Sequence, residues 1–73
     1  MKTHHFSMVL TSEQLLHYYR GRVKNVVVQS DNGLSLQIPL VALRPFVSHS
    51  GIEGYFRLVT DNNNKLQSLE KLS

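Results

Sequence analysis

The pattern of apolar and polar positions predicts a β-hairpin in the middle of the chain. Two apolar runs, VVV at residues 26–28 and LSLQI at residues 34–38, flank the triplet Asp31-Asn32-Gly33. Asp, Asn and Gly at such a point are typical of a tight turn between two strands. We therefore expect two antiparallel strands that are joined by two or three of these residues.

The register of the hairpin decides which side chains are buried. A two-residue loop would pair Gln29 with Leu36 and would mix polar and aliphatic side chains on one face. A three-residue loop pairs Val28 with Leu36 instead. Since a slip by one residue turns every side chain over, the pattern favours this second register, with Gly33 in the left-handed region. The buried face then consists of Val26, Val28, Leu34, Leu36 and Ile38.

A strand followed by a capped helix is predicted near the N-terminus. Apolar residues alternate over residues 6–10, which indicates the strand. Thr11 and Gln14 have the spacing of a capping box, and Gly21 is a typical residue at a helix C-terminus. We expect a helix over residues 12–20. The residues expected to face the core are Leu15, Leu16 and Tyr19.

The segment after the hairpin is predicted to be a short connection. Pro39 ends the ladder because it has no N–H to donate, and residues 40–43 form one helical turn. Arg44 precedes a proline, which favours an extended conformation. Phe46 and Val47 are expected in the core, and residues 48–51 in a loop.

The C-terminal part contains one clear strand and one ambiguous segment. Residues 54–60 read as a strand with Phe56 and Leu58 inward, and the sequence DNNN at 61–64 reads as a turn. Leucines at 66, 69 and 72 have helical spacing, yet a helix of about eight residues at a chain end is marginal. The periodicity leaves helix and strand open for residues 65–72.

These elements predict an α+β fold in the order β-α-β-β-turn-β-β. We expect a small, curved, mainly antiparallel sheet of four to five strands with one helix packed on it. Five short strands also suit partial closure into an SH3-like or Sm-like barrel. Residues 1–73 are expected to form a single domain, of which residues 1–5 would be a flexible tail.

Composition restricts the classes of site that the chain can carry. It has 73 residues and no cysteine, which excludes disulfides and thiolate metal ligands. Four histidines lack any metal-ligand spacing, and Ser48-His49-Ser50 are loop neighbours rather than a catalytic set. We expect no enzyme activity, metal or cofactor. The N-terminus does not read as a signal peptide and no apolar run reaches about 18 residues, so a cytoplasmic location is expected.

A mild excess of basic residues leaves contact with phosphate polymers open. Eight Lys and Arg stand against five Asp and Glu, for a formal charge of +3. Arginine binds phosphate through its planar fork and tyrosine can stack on a base. The structural alternative is that Tyr19 is core and that the cations are solvated. For Arg44, bracing of the turn by a carboxylate or by carbonyl groups is weighed against exposure for recognition. The candidate contact residues for nucleic acid or a partner are Tyr18, Arg20, Arg22, Lys24, Arg44 and Arg57.

The chain resembles a family of small uncharacterised bacterial proteins, a domain-of-unknown-function family. The resemblance runs from Phe6 to Leu72. The matching motifs are Tyr19-Arg20-Gly21, Val26–Val28, Asp31-Asn32-Gly33, Ile38-Pro39, Leu43-Arg44-Pro45-Phe46, Gly51–Phe56 and Ser68-Leu69-Glu70. The resemblance implies a self-contained domain and a strand over residues 66–71. It supplies no activity and no catalytic residues. Some relatives carry a topoisomerase-subunit label, which has little weight here because 73 residues cannot hold such an enzyme.

Two hypotheses for function follow. The first is a non-enzymatic protein-interaction or regulatory accessory module, with a homodimer as one form that it can take. It is motivated by small size, by free sheet edges and by Val27, which the predicted register places on the outer face of the hairpin. The second is a weak nucleic-acid-binding protein that uses the basic and aromatic stretch at residues 18–24.

Overall fold

A computed structural model describes residues 1–73 and contains two antiparallel sheets with short helices. The elements are β1 (Lys2–Thr11), α1 (Ser12–Arg20), β2 (Asn25–Gln29), β3 (Ser35–Pro39), α2 (Leu40–Leu43), a 3₁₀ turn (Arg44–Phe46), β4 (Gly51–Thr60) and β5 (Leu66–Lys71). One sheet has the order β1-β4-β5, and the hairpin β2-β3 forms the other. The prediction of a mainly antiparallel fold is confirmed. The prediction of one continuous sheet is wrong, because β1 and β2 are not joined by a ladder.

The hairpin has the predicted register. Val26 lies opposite Ile38 and Val28 lies opposite Leu36. The Gly33 N–H donates to the Ser30 carbonyl oxygen at 2.9 Å, and Gly33 has a φ of 88°, as the three-residue loop requires. The predicted buried face ends one pair early, because the Leu34 side chain beside the turn is 49% exposed.

Helix α1 begins and ends at the predicted residues but buries a different face. The capping box forms, with the Thr11 hydroxyl accepting from the Gln14 N–H at 3.1 Å. Leu15 is buried, as expected, whereas Leu16 and Tyr19 are 46% and 43% exposed. Tyr18 packs against the core instead. Helix α1 packs on β1 and β4 through the i, i+3 line of Leu15 and Tyr18 rather than through the i, i+4 line of Leu15 and Tyr19.

The core lies between the two sheets and is centred on aromatic rings. Phe6 on β1 and Phe56 on β4 are fully buried and stack with ring centroids 5.4 Å apart. Phe46 packs edge-on against Phe56 at 5.5 Å, as expected for a core residue. Val47, also expected in the core, is 42% exposed. The hairpin closes the core from the other side with Ile38.

The N-terminal residues form part of the sheet. Residues 1–5 were expected to be a flexible tail, but β1 begins at Lys2, which pairs with Thr60. The tail prediction is wrong because residues 2–5 pair with residues 57–60 at the C-terminal end of β4 and so continue the ladder between β1 and β4.

The C-terminal segment is a strand. Residues 66–71 form β5, which pairs with β4. The turn before it is held by the Asp61 carboxylate, which accepts from the N–H groups of Asn63 and Lys65 at 2.8 and 2.9 Å. This Asx-type turn returns the chain antiparallel to β4, which excludes the helix that the leucine spacing allowed.

Candidate functional site

A basic groove lies where the C-terminus of α1 meets the hairpin and α2. Its volume is about 600 Å³. The charged residues that line it are Arg22, Lys24 and Arg44. Its apolar wall includes Tyr19, Val23 and Val41. We call this set the basic groove.

The end of α1 places Arg22 in the groove. The Arg22 N–H donates to the Tyr19 carbonyl at 3.2 Å, and the Val23 N–H donates to the Tyr18 carbonyl at 2.9 Å. This pair of hydrogen bonds is a Schellman motif, in which the residue after the cap is left-handed. That residue is Arg22, with a φ of 58°, whereas Gly21 has a φ of −80°. The sequence indicated Gly21 for the C-terminal position, but the chain turns one residue later.

Arg44 reaches the same groove from α2. The Leu40 N–H donates to the Lys24 carbonyl at 2.8 Å, which places the start of α2 beside the end of the α1–β2 connection. Arg44 then follows one helical turn later. Its φ and ψ of −53° and −42° are helical, so the extended conformation predicted from the following proline is wrong. The 3₁₀ turn, with Pro45 near its start, explains the difference, because proline is tolerated in the first turn of a helix.

The side chain of Arg44 is free. It is exposed and forms no hydrogen bond or ion pair, so the reading in which a carboxylate or carbonyl groups brace it is wrong. No carboxylate lines the groove. Its three cations form no ion pair within the protein and are open to an anionic ligand.

The positive charge of the protein is concentrated at this end of α1. Arg20 lies on the last turn of α1, next to the groove, although it does not line it. The four basic residues outside this region are outnumbered by the five acidic residues of the chain. They are Lys2, Arg57, Lys65 and Lys71. The net charge of +3 thus originates from the groove and Arg20.

Three of the six predicted contact residues line the basic groove, and the other three do not. The structure brings Arg22, Lys24 and Arg44 together, leaves Arg20 at the margin, and separates Arg57 from them. Arg57 lies on β4 and forms an ion pair with Glu70 at 2.8 Å.

The positions of Tyr18 and Tyr19 are the reverse of the predicted ones. Tyr18 packs on the core, and Tyr19 presents its ring in the groove. Sequence reasoning missed Tyr19 as a contact residue because its i, i+4 spacing from Leu15 is a core signal. Val23 and Val41, which the sequence gave no role, are 38% and 67% exposed beside it.

A second polar cluster ties the hairpin turn to the three-stranded sheet. The Tyr55 hydroxyl donates to the Asp31 carboxylate, and the Tyr55 ring stacks on His5 with centroids 5.8 Å apart. The hydrogen bond to Asp31 raises the pKa of Tyr55, and loss of hydration and the negative charge of Asp31 act in the same direction. This cluster fixes the two sheets relative to each other.

No three His, Asp or Glu side chains are grouped so that they could hold a metal ion. Both helices are too short to cross a bilayer.

The chain matches a protein family over nearly its whole length. Residues 2–72 match the family described as "Protein of unknown function (DUF2835)", and the chain belongs to this family. This confirms the resemblance to a domain-of-unknown-function family that the sequence motifs indicated. Comparisons with curated proteins and with solved structures give no match.

Proposed function

We propose that this protein is a non-enzymatic binding module that holds single-stranded nucleic acid in the basic groove. The observation that carries the proposal is the set of three cations and one exposed tyrosine ring on a surface without carboxylates. Protein-interaction modules were the first expectation from the sequence. The free side chain of Arg44 beside Arg22 and Lys24 favours a polyanion instead.

The cations would contact phosphates. Arginine offers a planar fork of N–H donors that matches two phosphate oxygens, and lysine adds a mobile point charge. Arg22 and Arg44 come from separate segments, at the end of α1 and the end of α2. Two forks from different segments can contact separate phosphates of one strand.

The ring of Tyr19 would stack on a base. It is 43% exposed and lies beside the cations. Stacking of a base on an aromatic ring tolerates any sequence and contributes about 1–3 kcal/mol per base. A single strand has free base faces, whereas a duplex does not, so this ring favours single-stranded ligands.

The backbone of Arg22 also supports a role for this side chain. A left-handed conformation is unfavourable for residues other than glycine, and glycine is the usual residue at this point of a Schellman motif. Conformational strain at a charged surface residue is typical of binding sites. Arginine at this position is readily explained if its side chain has a ligand.

Salt-dependent binding to a short oligonucleotide tests the proposal. Fluorescein-labelled oligothymidylate would be titrated with the protein at several salt concentrations, with anisotropy as the readout. If three phosphates are neutralised, the slope of log K against log salt is about −2 on a single strand. The change Arg44→Ala should reduce the slope by about 0.7.

Lys65→Ala provides the matched control. It removes the same charge from the turn before β5, outside the groove, so the slope should stay close to that of the wild type. Equal effects of the two substitutions would show that net charge, rather than the groove, determines binding. If a polyglutamate peptide binds more tightly than the oligonucleotide, the ligand of the groove is an acidic protein segment rather than nucleic acid.

A second candidate, a homodimer through the free sheet edges, is supported by the gap between β1 and β2. Both are edge strands, and they approach each other where the Asp31 N–H donates to the His5 carbonyl at 2.9 Å. Backbone groups of alternate residues point to the same side of a strand, so Val9 and Val27 face this gap with their N–H and C=O groups. Their side chains are 68% and 63% exposed.

A strand added to this gap would extend either sheet and protect the exposed valines. The SH3-like or Sm-like partial barrel predicted from the sequence would then be closed by the added strand rather than by β1 and β2 themselves. Sedimentation equilibrium of the wild type and of Val27→Lys tests this candidate. A dimer that dissociates in the variant supports it, and a monomeric wild type at high protein concentration contradicts it.

A further inference from the structure

We infer that Asn32 is a site of spontaneous deamidation, and that Ser30 controls the rate of this reaction in the folded protein. Deamidation hydrolyses the side-chain amide of an asparagine through a cyclic imide that it forms with the next residue. Asn32 lies at the tip of the hairpin between β2 and β3 and is followed by Gly33. The inference concerns a covalent change at this turn and does not depend on the basic groove.

The reaction needs water as its only co-reactant. The Gly33 backbone nitrogen attacks the Cγ atom of Asn32, and a new N–C bond forms. The Cγ–Nδ2 bond breaks, and the proton of the Gly33 N–H leaves with the side-chain nitrogen as ammonia. Water then opens the resulting succinimide at one of its two carbonyl carbons. Opening at Cγ gives aspartate, and opening at the main-chain carbon gives isoaspartate, whose backbone runs through the former side chain.

Asn32 is the asparagine of this chain that is best placed to react. The chain has five asparagines, and only Asn32 is followed by glycine. A side chain on the following residue would crowd the attacking nitrogen, and glycine has none. A Cβ added at Gly33 would meet no atom within 4 Å, so there is open space where the ring forms. Asn32 and Gly33 are both exposed, which gives water access to the imide.

Ser30 holds both of the groups that must react with each other. Its carbonyl oxygen accepts from the Gly33 N–H at 2.9 Å, and its hydroxyl donates to the Asn32 Oδ1 atom. The first hydrogen bond occupies the proton that Gly33 must lose, and the second fixes the orientation of the Asn32 amide. Both must break before the nitrogen can turn toward Cγ. The folded turn therefore slows the reaction.

Ser30 is itself firmly held. It is 5% exposed, and its Oγ atom accepts from the Leu34 N–H at 3.1 Å. The Ser30 N–H donates to the Leu34 carbonyl at 2.8 Å. Because the hydroxyl has a partner on each side, it cannot leave Asn32 without disturbing the end of the hairpin. Deamidation thus requires a local opening of the hairpin tip, which needs less free energy than unfolding of the whole domain.

The products change the contacts between the two sheets. Asp31 precedes Asn32, and its N–H donates to the His5 carbonyl at 2.9 Å while its carboxylate accepts from the Tyr55 hydroxyl. Both products add a negative charge beside the Asp31 carboxylate. Isoaspartate also adds one carbon atom to the backbone of the three-residue loop that fixes the hairpin register. Deamidation therefore loosens the hairpin from the three-stranded sheet.

Mass spectrometry of the ageing protein tests the inference. Wild-type protein would be incubated in mildly alkaline buffer, with and without urea, and peptide fragmentation would locate each gain of one mass unit. In urea we expect the gain at Asn32 before any gain at residues 62–64. In the folded protein we expect conversion of Asn32 to be at least about tenfold slower than in urea.

Ser30→Ala tests the role of the serine. The substitution removes the hydrogen bonds of the hydroxyl to Asn32 and Leu34, so deamidation of the folded protein should become about tenfold faster. In urea, its rate should equal that of the wild type. The matched control is Ser48→Ala, which removes a hydroxyl that donates to the Gly51 carbonyl at 3.0 Å in another turn. It should leave the rate at Asn32 unchanged.

Four results would each overturn the inference. Equal rates for the folded wild type and the wild type in urea would show that the turn does not restrain Asn32. A rate for Ser30→Ala that equals or falls below that of the wild type would exclude control by the hydroxyl. Equal acceleration by Ser48→Ala would assign the effect to lower overall stability. Earlier conversion of residues 62–64 in urea would exclude Gly33 as the determinant. The comparison of wild type with and without urea remains decisive if Ser30→Ala does not fold, which circular dichroism would show.

Discussion

Replacing Arg22 by glycine should stabilise the protein while it weakens binding. Arg22 has a φ of 58° after the end of α1. The left-handed conformation costs a non-glycine residue about 1–2 kcal/mol, and glycine loses about 0.5–1 kcal/mol more backbone entropy on folding. The difference predicts that Arg22→Gly raises the free energy of unfolding by about 0.5–1 kcal/mol. For a domain of this size that corresponds to an increase in Tm of about 2–8 °C.

The control is Arg22→Ala, which removes the same side chain but keeps the unfavourable conformation. Its free energy of unfolding should stay close to that of the wild type. In oligothymidylate binding, the glycine and alanine variants should be weakened equally, because both lose one of the three cations of the basic groove. Arg22→Lys keeps the charge and should lose the least affinity.

Thermal and urea unfolding followed by circular dichroism, together with the anisotropy titration, measure both effects. Equal stability of Arg22→Gly and Arg22→Ala would show that the left-handed conformation of Arg22 is not strained. A glycine variant that is more stable but binds the oligonucleotide as tightly as the wild type would show that Arg22 does not contact the ligand.

Three further predictions concern two glycines, the hydrogen bond between Tyr55 and Asp31, and the ring of Tyr19 in the basic groove. Gly33→Ala should lower the free energy of unfolding by about 1 kcal/mol, measured by urea unfolding. The added Cβ has open space around it, so the cost comes only from the left-handed φ, which is unfavourable for alanine. Gly51→Ala should be far more destabilising, since its Cβ would lie 2.0 Å from a backbone oxygen of β1; similar losses for both glycines would contradict this. The raised pKa of Tyr55 means that its protonated hydroxyl stabilises the folded protein below the ordinary pKa of 10.0, and that this stabilisation is lost as the pH rises through the folded-state pKa. The free energy of unfolding, measured between about pH 9 and pH 11, should therefore depend less on pH in Tyr55→Phe than in the wild type. Tyr19→Ala should weaken oligothymidylate binding about fivefold or more in the anisotropy titration, whereas Leu16→Ala, which is similarly exposed on α1, should change it little.

Local signals in the sequence were sufficient for most elements of the fold. Asp31-Asn32-Gly33 together with the apolar pattern determines the hairpin register, because only one register separates apolar from polar side chains. Thr11 and Gln14 determine the start of α1 for the same kind of local reason. How β1 pairs was not available from such signals, since its partner β4 is distant in sequence. The length of β1, and with it the error about residues 1–5, follows from that partner.

The candidate site was only partly accessible from the sequence. Arg22 and Lys24 were found because they are close together in the chain. The contribution of Arg44 depends on the hydrogen bond between Leu40 and Lys24, which no local pattern encodes. Tyr19 was assigned to the core because periodicity gives the side of a helix only to within one position, and tertiary packing decides between neighbouring tyrosines.

The pairing of β1 with β4 has a consequence for the order of events during synthesis. The first strand leaves the ribosome long before its partner, which begins only at Gly51. Helix α1 and the hairpin have local contacts and can form early, whereas the long-range ladder must wait and is slow to close. We expect the apolar face of β1 to stay exposed in the nascent chain until β4 emerges, so this interval is when the protein is most prone to aggregate.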